Sequence, residues 1–342
     1  MIRIGLIGCG QWGLNYLRVL SQLDGSRIVA ACDVSSDRLQ RANQVVPGIK
    51  LVSEAEAIVA DPRIDAVVVA TQATRHFALV EAALSAGKDC LVEKPLTTDP
   101  AEARRLRDLA VAGGRTLMIG HIFRYNPAIN YVRQLLTSGA IGELEYMLFT
   151  RTNLGPIRTD VNVVWDLITH DVSILLHLMN ESPTWVSGQG GTYLRDGCED
   201  IAFATLGFAQ GVVANMRASW LDPRKVREIT LAGTMKAIVF NDLHTSEPVR
   251  VYDKGAMREP DYSSFGEFKM VTRNGDLVIP AVPAGEPLRN QCSHFIECVT
   301  SGHPPLSDGD DGVRVVEIVS AINRSIAARG APVSLMEALA GV

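Results

Sequence analysis

Short apolar runs alternate with helical patterns through the first third of the chain. Residues 2–7, 27–32, 66–70, 90–92 and 116–119 are apolar and rich in Val and Ile, which predicts buried strands. Between them, residues 14–23, 36–45, 77–86 and 101–112 repeat apolar side chains at helical spacing. Ser53 with Glu56 predicts a capping box, and Asp99-Pro100 predicts an N-cap followed by proline at the first helical position. Gly87 and Gly113-Gly114 supply helix stops. Strand–helix alternation of this kind builds a parallel sheet with helices on both faces.

Beyond His121 the pattern changes. Residues 127–138 form a polar helical segment, 143–152 a strand, and 165–179 an amphipathic helix. Several strands follow with few helices between them. In 211–220, Val212, Ala214, Met216, Ala218 and Trp220 fall on one face, with Asn215, Arg217 and Ser219 on the other. Residues 227–231 and 236–240 flank Gly233-Thr234, a hairpin signal. Such alternation belongs to a mostly antiparallel sheet with one covered face. Helices over 289–300 and 310–328 close the chain. The expected architecture is an α/β Rossmann domain with a doubly wound parallel sheet over residues 1–122. An α+β domain with a large, mostly antiparallel sheet is expected over 123–342, for substrate binding and oligomerisation, its C-terminal helices packing back on the first.

Composition narrows the class. A length of 342 residues fits two domains, and 47% hydrophobic with 21% charged residues is ordinary globular protein. A net charge of -5 provides no basic field for nucleic acid or an anionic membrane. The six cysteines form no CxxC pair and no Cys/His cluster with zinc spacing, so no metal is expected and the thiols read as small buried hydrophobes in a reducing compartment. Met1 runs directly into a strand, leaving no room for a signal peptide, and no apolar stretch approaches the ~20 residues of a membrane span. The expected setting is the cytoplasm.

Three constellations carry chemistry. Gly8-Cys9-Gly10-Gln11-Trp12-Gly13 matches GxGxxG between a strand and a helix, and Asp33 follows at the end of the second strand. The glycines let the backbone approach a pyrophosphate at the positive end of the helix. A carboxylate at Asp33 can accept from both ribose hydroxyls and repels a 2′-phosphate, which favours NAD over NADP. Glu93-Lys94-Pro95 follows a strand at its carboxyl end, the edge where open α/β sheets bind ligands, although a lysine beside a glutamate is also an ordinary surface pair. Asp166 and His170, four residues apart, share one helix face, where a carboxylate can orient an imidazole; taken alone, such a pair is more often structural.

The ordered set of residues 8–13, Ala70-Thr71 with His76, Ala86-Gly87-Lys88, Glu93-Lys94-Pro95 and Asp166…His170 resembles the glucose-fructose oxidoreductase / inositol dehydrogenase / rhizopine-catabolism (Gfo/Idh/MocA) family. The likeness extends to Leu306-Ser307-Asp308-Gly309 and the helix after it, with Gln72 standing where the family often has proline. The resemblance implies NAD-dependent oxidation of a ring hydroxyl. Lys94 would bond the reacting oxygen and His170, oriented by Asp166, would act as base. Gly8, Gly10, Gln11, Trp12, Gly13, Asp33, Thr71, His76, Glu93 and Lys94 would bind cofactor, with Arg124, Tyr125, Asn126, Arg158 and His170 on the substrate. Residues 158–166 look most like sugar-nucleotide dehydrogenases, implying a nucleotide-linked sugar or uronic acid. Arg124, Arg151 and Arg158 read either as surplus cations that call for an anionic substrate or as surface partners of Asp160, Glu143 or Glu145. Dehydrogenases of inositol or free sugars, and a non-catalytic NAD-binding regulator, are the competing readings. A homodimer or homotetramer is expected through the uncovered sheet face.

Overall fold

All of β1 (Ile2–Ile7) except Arg3 is buried, as a strand covered on both faces must be. The computed structural model describes residues 1–260 and 268–335, and β1 lies at the centre of its six-stranded parallel sheet. The chain continues through α1 (Gln11–Leu20), β2 (Ser26–Cys32), α2 (Ser36–Val45), β3 (Lys50–Val52), α3 (Glu56–Val59), β4 (Ala66–Val69), α4 (His76–Ser85), β5 (Asp89–Val92), α5 (Pro100–Gly113) and β6 (Leu117–Ile119). Strand order is β3-β2-β1-β4-β5-β6, so the connections reverse direction between β1 and β4 and leave a crevice at the strands' carboxyl ends. Asp99 caps α5 by accepting from the N–H groups of Ala101 and Glu102 at 2.7 and 3.1 Å, and Gly114 ends it in the left-handed conformation. The Ser53/Glu56 capping box does not form. α3 is a single turn that starts after Ala55 with no side-chain cap, too short to repay ordering a reciprocal pair. β3 escaped the apolar pattern because it is an edge strand with Lys50 and Leu51 exposed.

The second sheet is built from α6 (Pro127–Thr137), β7 (Leu144–Thr152), a five-residue π-turn at Val164–Ile168, α7 (Thr169–Met179), β8 (Trp185–Gly191), β9 (Ile201–Gly207), β10 (Val213–Ser219), β11 (Val226–Gly233), β12 (Ala237–Asn241), β13 (Val249–Pro260) and β14 (Phe268–Val278). After α8 (Pro287–Ser301) and α9 (Gly309–Ala327), β15 (Val333–Ser334) completes a nine-stranded order β14-β13-β12-β11-β7-β10-β9-β8-β15. All of its pairs are antiparallel except β7 with β10. One face is buried: Met147, Phe149, Ala214, Met216, Ala218, Leu231 and Ile238 are within about 1% of full burial. The other is open, with Tyr146, Leu148 and Phe203 each 44% exposed on central strands.

By compactness the chain divides into residues 1–126 with 285–320, and 127–284 with 321–342. In the first unit α8 packs on α1, where Leu288, Cys292, Phe295 and Ile296 join the core around Tyr16, Leu17 and Leu20. In the second, α7 is buried nearly all round, α6 packs on it and on β12, and the π-turn lies on β10. No helix among the described residues is long and apolar enough to cross a membrane.

Candidate active site

The glycine loop can approach a ligand because its backbone leaves no room for side chains on the protein side. Gly8 has φ +98°, and a Cβ there would overlap the Ala70 carbonyl at the exit of β4. A Cβ on Gly13 would overlap the Gly8 carbonyl. Gly10, the N-cap of α1, has open space where its Cβ would be. These three observations describe a cradle that fits a dinucleotide pyrophosphate, lying between the carboxyl ends of β1 and β4 at the switch point. Gln11 and Trp12 are exposed on the first turn of α1, and Thr71 is half-buried beside the loop. Gln72 has φ -69°, the value proline would impose, so its departure from the family's proline keeps the loop's shape.

Asp33 follows directly on β2 and is 7% exposed. Oδ2 accepts from the Cys9 N–H at 2.8 Å and Oδ1 from the Ser35 N–H at 2.9 Å. A carboxylate has about four acceptor directions, so both oxygens retain capacity for ribose hydroxyls. Arg38 Nη1 lies 3.7 Å from Oδ2, on a side chain 55% exposed. Asp33→Ala removes the carboxylate and frees Arg38 for a 2′-phosphate. The NAD/NADP ratio of kcat/KM should then fall by ~10-fold or more, the scale of one charge-assisted contact. Comparable use of both cofactors by the unmodified protein, or an unchanged ratio in the variant, would contradict this assignment.

At the exit of β5, Glu93 Oε1 accepts from Tyr16 Oη–H at 2.7 Å, and Oε2 faces the Lys94 N–H at 3.2 Å. Gln291 Nε2 of α8 donates to Tyr16 Oη at 2.9 Å. Burial, and then the Glu93 charge, hold the Tyr16 phenol well above its usual pKa, so it remains a donor. Gln291 of α8 thus holds Tyr16 of α1, Tyr16 holds Glu93 at the end of β5, and Glu93 in turn accepts from the Lys94 N–H. Sequence reading missed Tyr16 and Gln291 because each looks like one more residue on a buried helix face. The Lys94-Pro95 peptide is cis.

His76 differs from its expected role. It is 1% exposed, and Nδ1 donates to the Pro95 carbonyl at 2.7 Å while Nε2 lies 3.2 Å from the Thr71 carbonyl. Its ring braces the two loops instead of facing outward to a cofactor.

Arg124 and Tyr125 also depart from their expected roles. Both are buried; Arg124 bonds Asp311 and the Leu306 carbonyl, and Tyr125 Oη pairs with Ser307 Oγ at 2.9 Å. They join the end of β6 to the start of α9, a structural role in place of the expected substrate contacts. Burial pushes the Asp311 carboxyl up to about 6, against the pull of Arg124 and Arg314. Asn126 is half-buried, its N–H on the Phe123 carbonyl.

In the second unit, Arg158 grips Asp160 through Nε and Nη2 at 2.9 and 2.5 Å and reaches Asp166 Oδ1 with Nη1 at 3.4 Å. Asp166 Oδ2 accepts from Trp220 Nε1 at 3.1 Å. Arg151 forks onto Asp171 Oδ1 at 2.9 and 2.7 Å, both side chains buried. Burial raises the Asp171 pKa although Arg151 opposes it. Arg124, Arg151 and Arg158 are therefore all committed to carboxylates, Arg158 to the expected alternative partner Asp160, and are not surplus cations awaiting an anion. Asp166 lies in the π-turn and His170 in the first turn of α7. The expected uniform helix over 165–179 thus begins with a wider turn, a feature often found at functional sites. The Thr169 N–H reaches back to the Val164 carbonyl, and Thr169 Oγ1 donates to the Trp165 carbonyl at 2.7 Å.

Comparison with known proteins agrees with this layout. Residues 2–121 match the family described as an oxidoreductase family with an NAD-binding Rossmann fold, and residues 129–239 match the GFO/IDH/MocA C-terminal domain. UDP-N-acetylglucosamine 3-dehydrogenase of Acidithiobacillus ferrooxidans is 29% identical over 92% of this chain and 94% of its own. Myo-inositol 2-dehydrogenase of Thermotoga maritima is 26% identical over 95% and 96%. A crystal structure of an oxidoreductase candidate from Magnetospirillum magnetotacticum MS-1 superposes with a TM-score of 0.79 at 31% identity, covering 94% of this chain and 99% of that one. With both family models matching in order along the chain, the chain belongs to the Gfo/Idh/MocA family of NAD-binding oxidoreductases.

Proposed function

We propose that the protein is a dehydrogenase that oxidises a ring hydroxyl of a sugar derivative, with a nucleotide-linked sugar or uronic acid as the favoured substrate. The observation that carries this reading is the anchoring of Lys94 at the carboxyl edge of the parallel sheet, through Glu93, Tyr16 and Gln291. Gly8, Gly10, Gln11, Trp12 and Gly13 would hold the pyrophosphate of NAD, Asp33 the ribose, and Thr71 and Glu93 the nicotinamide half. When bound, NAD supplies the hydride acceptor. Lys94 hydrogen-bonds the reacting oxygen and stabilises the charge that develops as its proton leaves. His170 takes that proton, and Asp166 holds the imidazole in position. Trp220 and Arg158, both on Asp166, fix the carboxylate in turn. In the reverse direction His170 gives the proton back.

The likeness to a UDP-N-acetylglucosamine 3-dehydrogenase supports the nucleotide-linked substrate. A neutral cyclitol or free sugar is the second reading, favoured by the pairing of all three arginines and by the likeness to a myo-inositol 2-dehydrogenase. NADH formation with UDP-N-acetylglucosamine, myo-inositol and glucose separates them. The nucleotide-linked sugar should win by ~10-fold or more in kcat/KM, the scale set by recognition of the added group. A clear preference for the neutral compounds moves the protein to the cyclitol and sugar dehydrogenases, and turnover of none would overturn the dehydrogenase reading. The proposal includes assembly as a homodimer or homotetramer through the open face of the second sheet, supported by the exposed Tyr146, Leu148 and Phe203.

A further inference from the structure

Strands β5 and β6 leave the sheet side by side, with Val92 opposite Ile119. The Gly120 N–H still donates to the Val92 carbonyl at 2.7 Å, and a Cβ on Gly120 would come within 3.2 Å of Glu93 Cα. His121 and Lys94 are the residues that follow this Gly120–Glu93 contact on the two segments, near enough for the Lys94 charge to act on the His121 imidazole. The His121 main chain is satisfied: its N–H donates to the Ile119 carbonyl at 2.7 Å, and its carbonyl accepts from the Arg124 N–H at 3.0 Å. The imidazole is not. It is 2% exposed, and neither Nδ1 nor Nε2 has a hydrogen-bond partner. Burial, with the positive charges of Arg124 and Lys94 nearby, holds its pKa well below the usual imidazole value. The ring is neutral at physiological pH and offers one donor and one acceptor.

Folding disfavours this arrangement. Buried polar groups are almost always paired, and an unpaired one costs more than an apolar residue of the same shape. Leucine would fill the position without that cost. A polar side chain kept where packing favours an apolar one is expected at a functional site. We propose that His121 is a substrate contact whose neutral imidazole hydrogen-bonds a hydroxyl adjacent to the one being oxidised on the substrate ring. This rests on the reading that Lys94 meets the reacting oxygen. Neighbouring strands are ~4.8 Å apart, so side chains leaving them at one level can converge on neighbouring ring oxygens. A hydroxyl, both donor and acceptor, matches a neutral imidazole. A protonated ring would crowd a second cation against Lys94 and weaken the ammonium.

The test compares the full-length protein with His121→Leu and His121→Asn. Without ligand, His121→Leu should melt at the same temperature or ~2 °C higher, because a small change in stability moves a chain of this size by only a few degrees. Its NADH affinity should stay within about twofold, while kcat/KM falls ~10-fold or more, mainly through KM, for whichever of UDP-N-acetylglucosamine, myo-inositol and glucose the unmodified protein oxidises best. His121→Asn, which keeps a donor and an acceptor, should recover most of that loss. Melting more than ~5 °C lower in both variants would mark a structural histidine. Unchanged kcat/KM in His121→Leu, or NADH affinity falling in step with it, would equally overturn the proposal. If the unmodified protein oxidises none of the three, the reading of Lys94 and His170 fails separately. His121 is then decided by melting of the NADH-saturated proteins: stabilisation by one compound that is lost in His121→Leu supports it, and no difference overturns it.

Discussion

Lys94→Ala and His170→Ala should each lower kcat by ~100-fold or more while NADH still binds, the usual scale for removing an acid/base or charge-stabilising group. On the proposed mechanism the two losses arise differently. Removing Lys94 withdraws the charge that meets the oxygen as its proton departs, so kcat and kcat/KM should fall together. Removing His170 takes away the proton acceptor and leaves Asp166 held by Trp220 and Arg158 with no imidazole to orient. Cofactor affinity should survive both changes, because the cradle at residues 8–13 and the Asp33 carboxylate are built from β1, α1 and β2, with Cys9 and Ser35 fixing the carboxylate. The double variant should be little worse than either single one, since groups acting on one proton and one oxygen work as a unit. Stopped-flow turnover with NADH titration by fluorescence reads both quantities. Near-normal turnover in either variant would show that the chemistry lies elsewhere.

The parts of this site legible in the sequence are those where the backbone itself is constrained. Gly8 and Gly13 are demanded by overlaps that any Cβ would create, and Asp33 by its place at the end of a buried strand, so spacing alone found them. What spacing cannot show is a partner. Arg124 reads as a cation near a sheet edge, but its counter-ion Asp311 is 187 residues away in α9. Arg151 and Asp171 are nearer in sequence, yet nothing in either local pattern says that both are buried together. The π-turn is equally silent, because Trp165 to Met179 keeps a helical rhythm whether its first turn is tight or wide. His121 carries no local signal at all. A single histidine after a strand gains meaning only when its empty hydrogen-bonding shell and its neighbour Lys94 are both known.

Charging the open face of the second sheet should break the assembly into monomers. The unmodified protein is expected to be a dimer or tetramer, and Leu148→Glu combined with Phe203→Glu should run at 37.0 kDa in light scattering. The register explains the choice. Asn215 lies between Leu148 on β7 and Thr205 on β9, and Arg217 between Thr150 and Phe203, so both residues project from the middle of the sheet. Val213, 38% exposed, pairs with Tyr146, which extends the apolar row. The opposite faces of these strands are filled by Met147, Ala214 and Met216, so the pleat leaves the outward residues no internal cover. Apolar area on a flat central sheet gains ~25 cal/mol for each Å² removed from water, which favours pairing with a like surface. In a two-fold contact each substituted position is presented by both copies, so two substitutions place four carboxylates in one interface. They would be desolvated without partners, a cost that outweighs the lost apolar contact. The same residues are already partly solvated in the isolated chain, so far-UV circular dichroism should be unchanged. A 37.0 kDa species from the unmodified protein at micromolar concentration would refute the assembly. An unchanged larger mass in the doubly charged variant would place the interface on another surface.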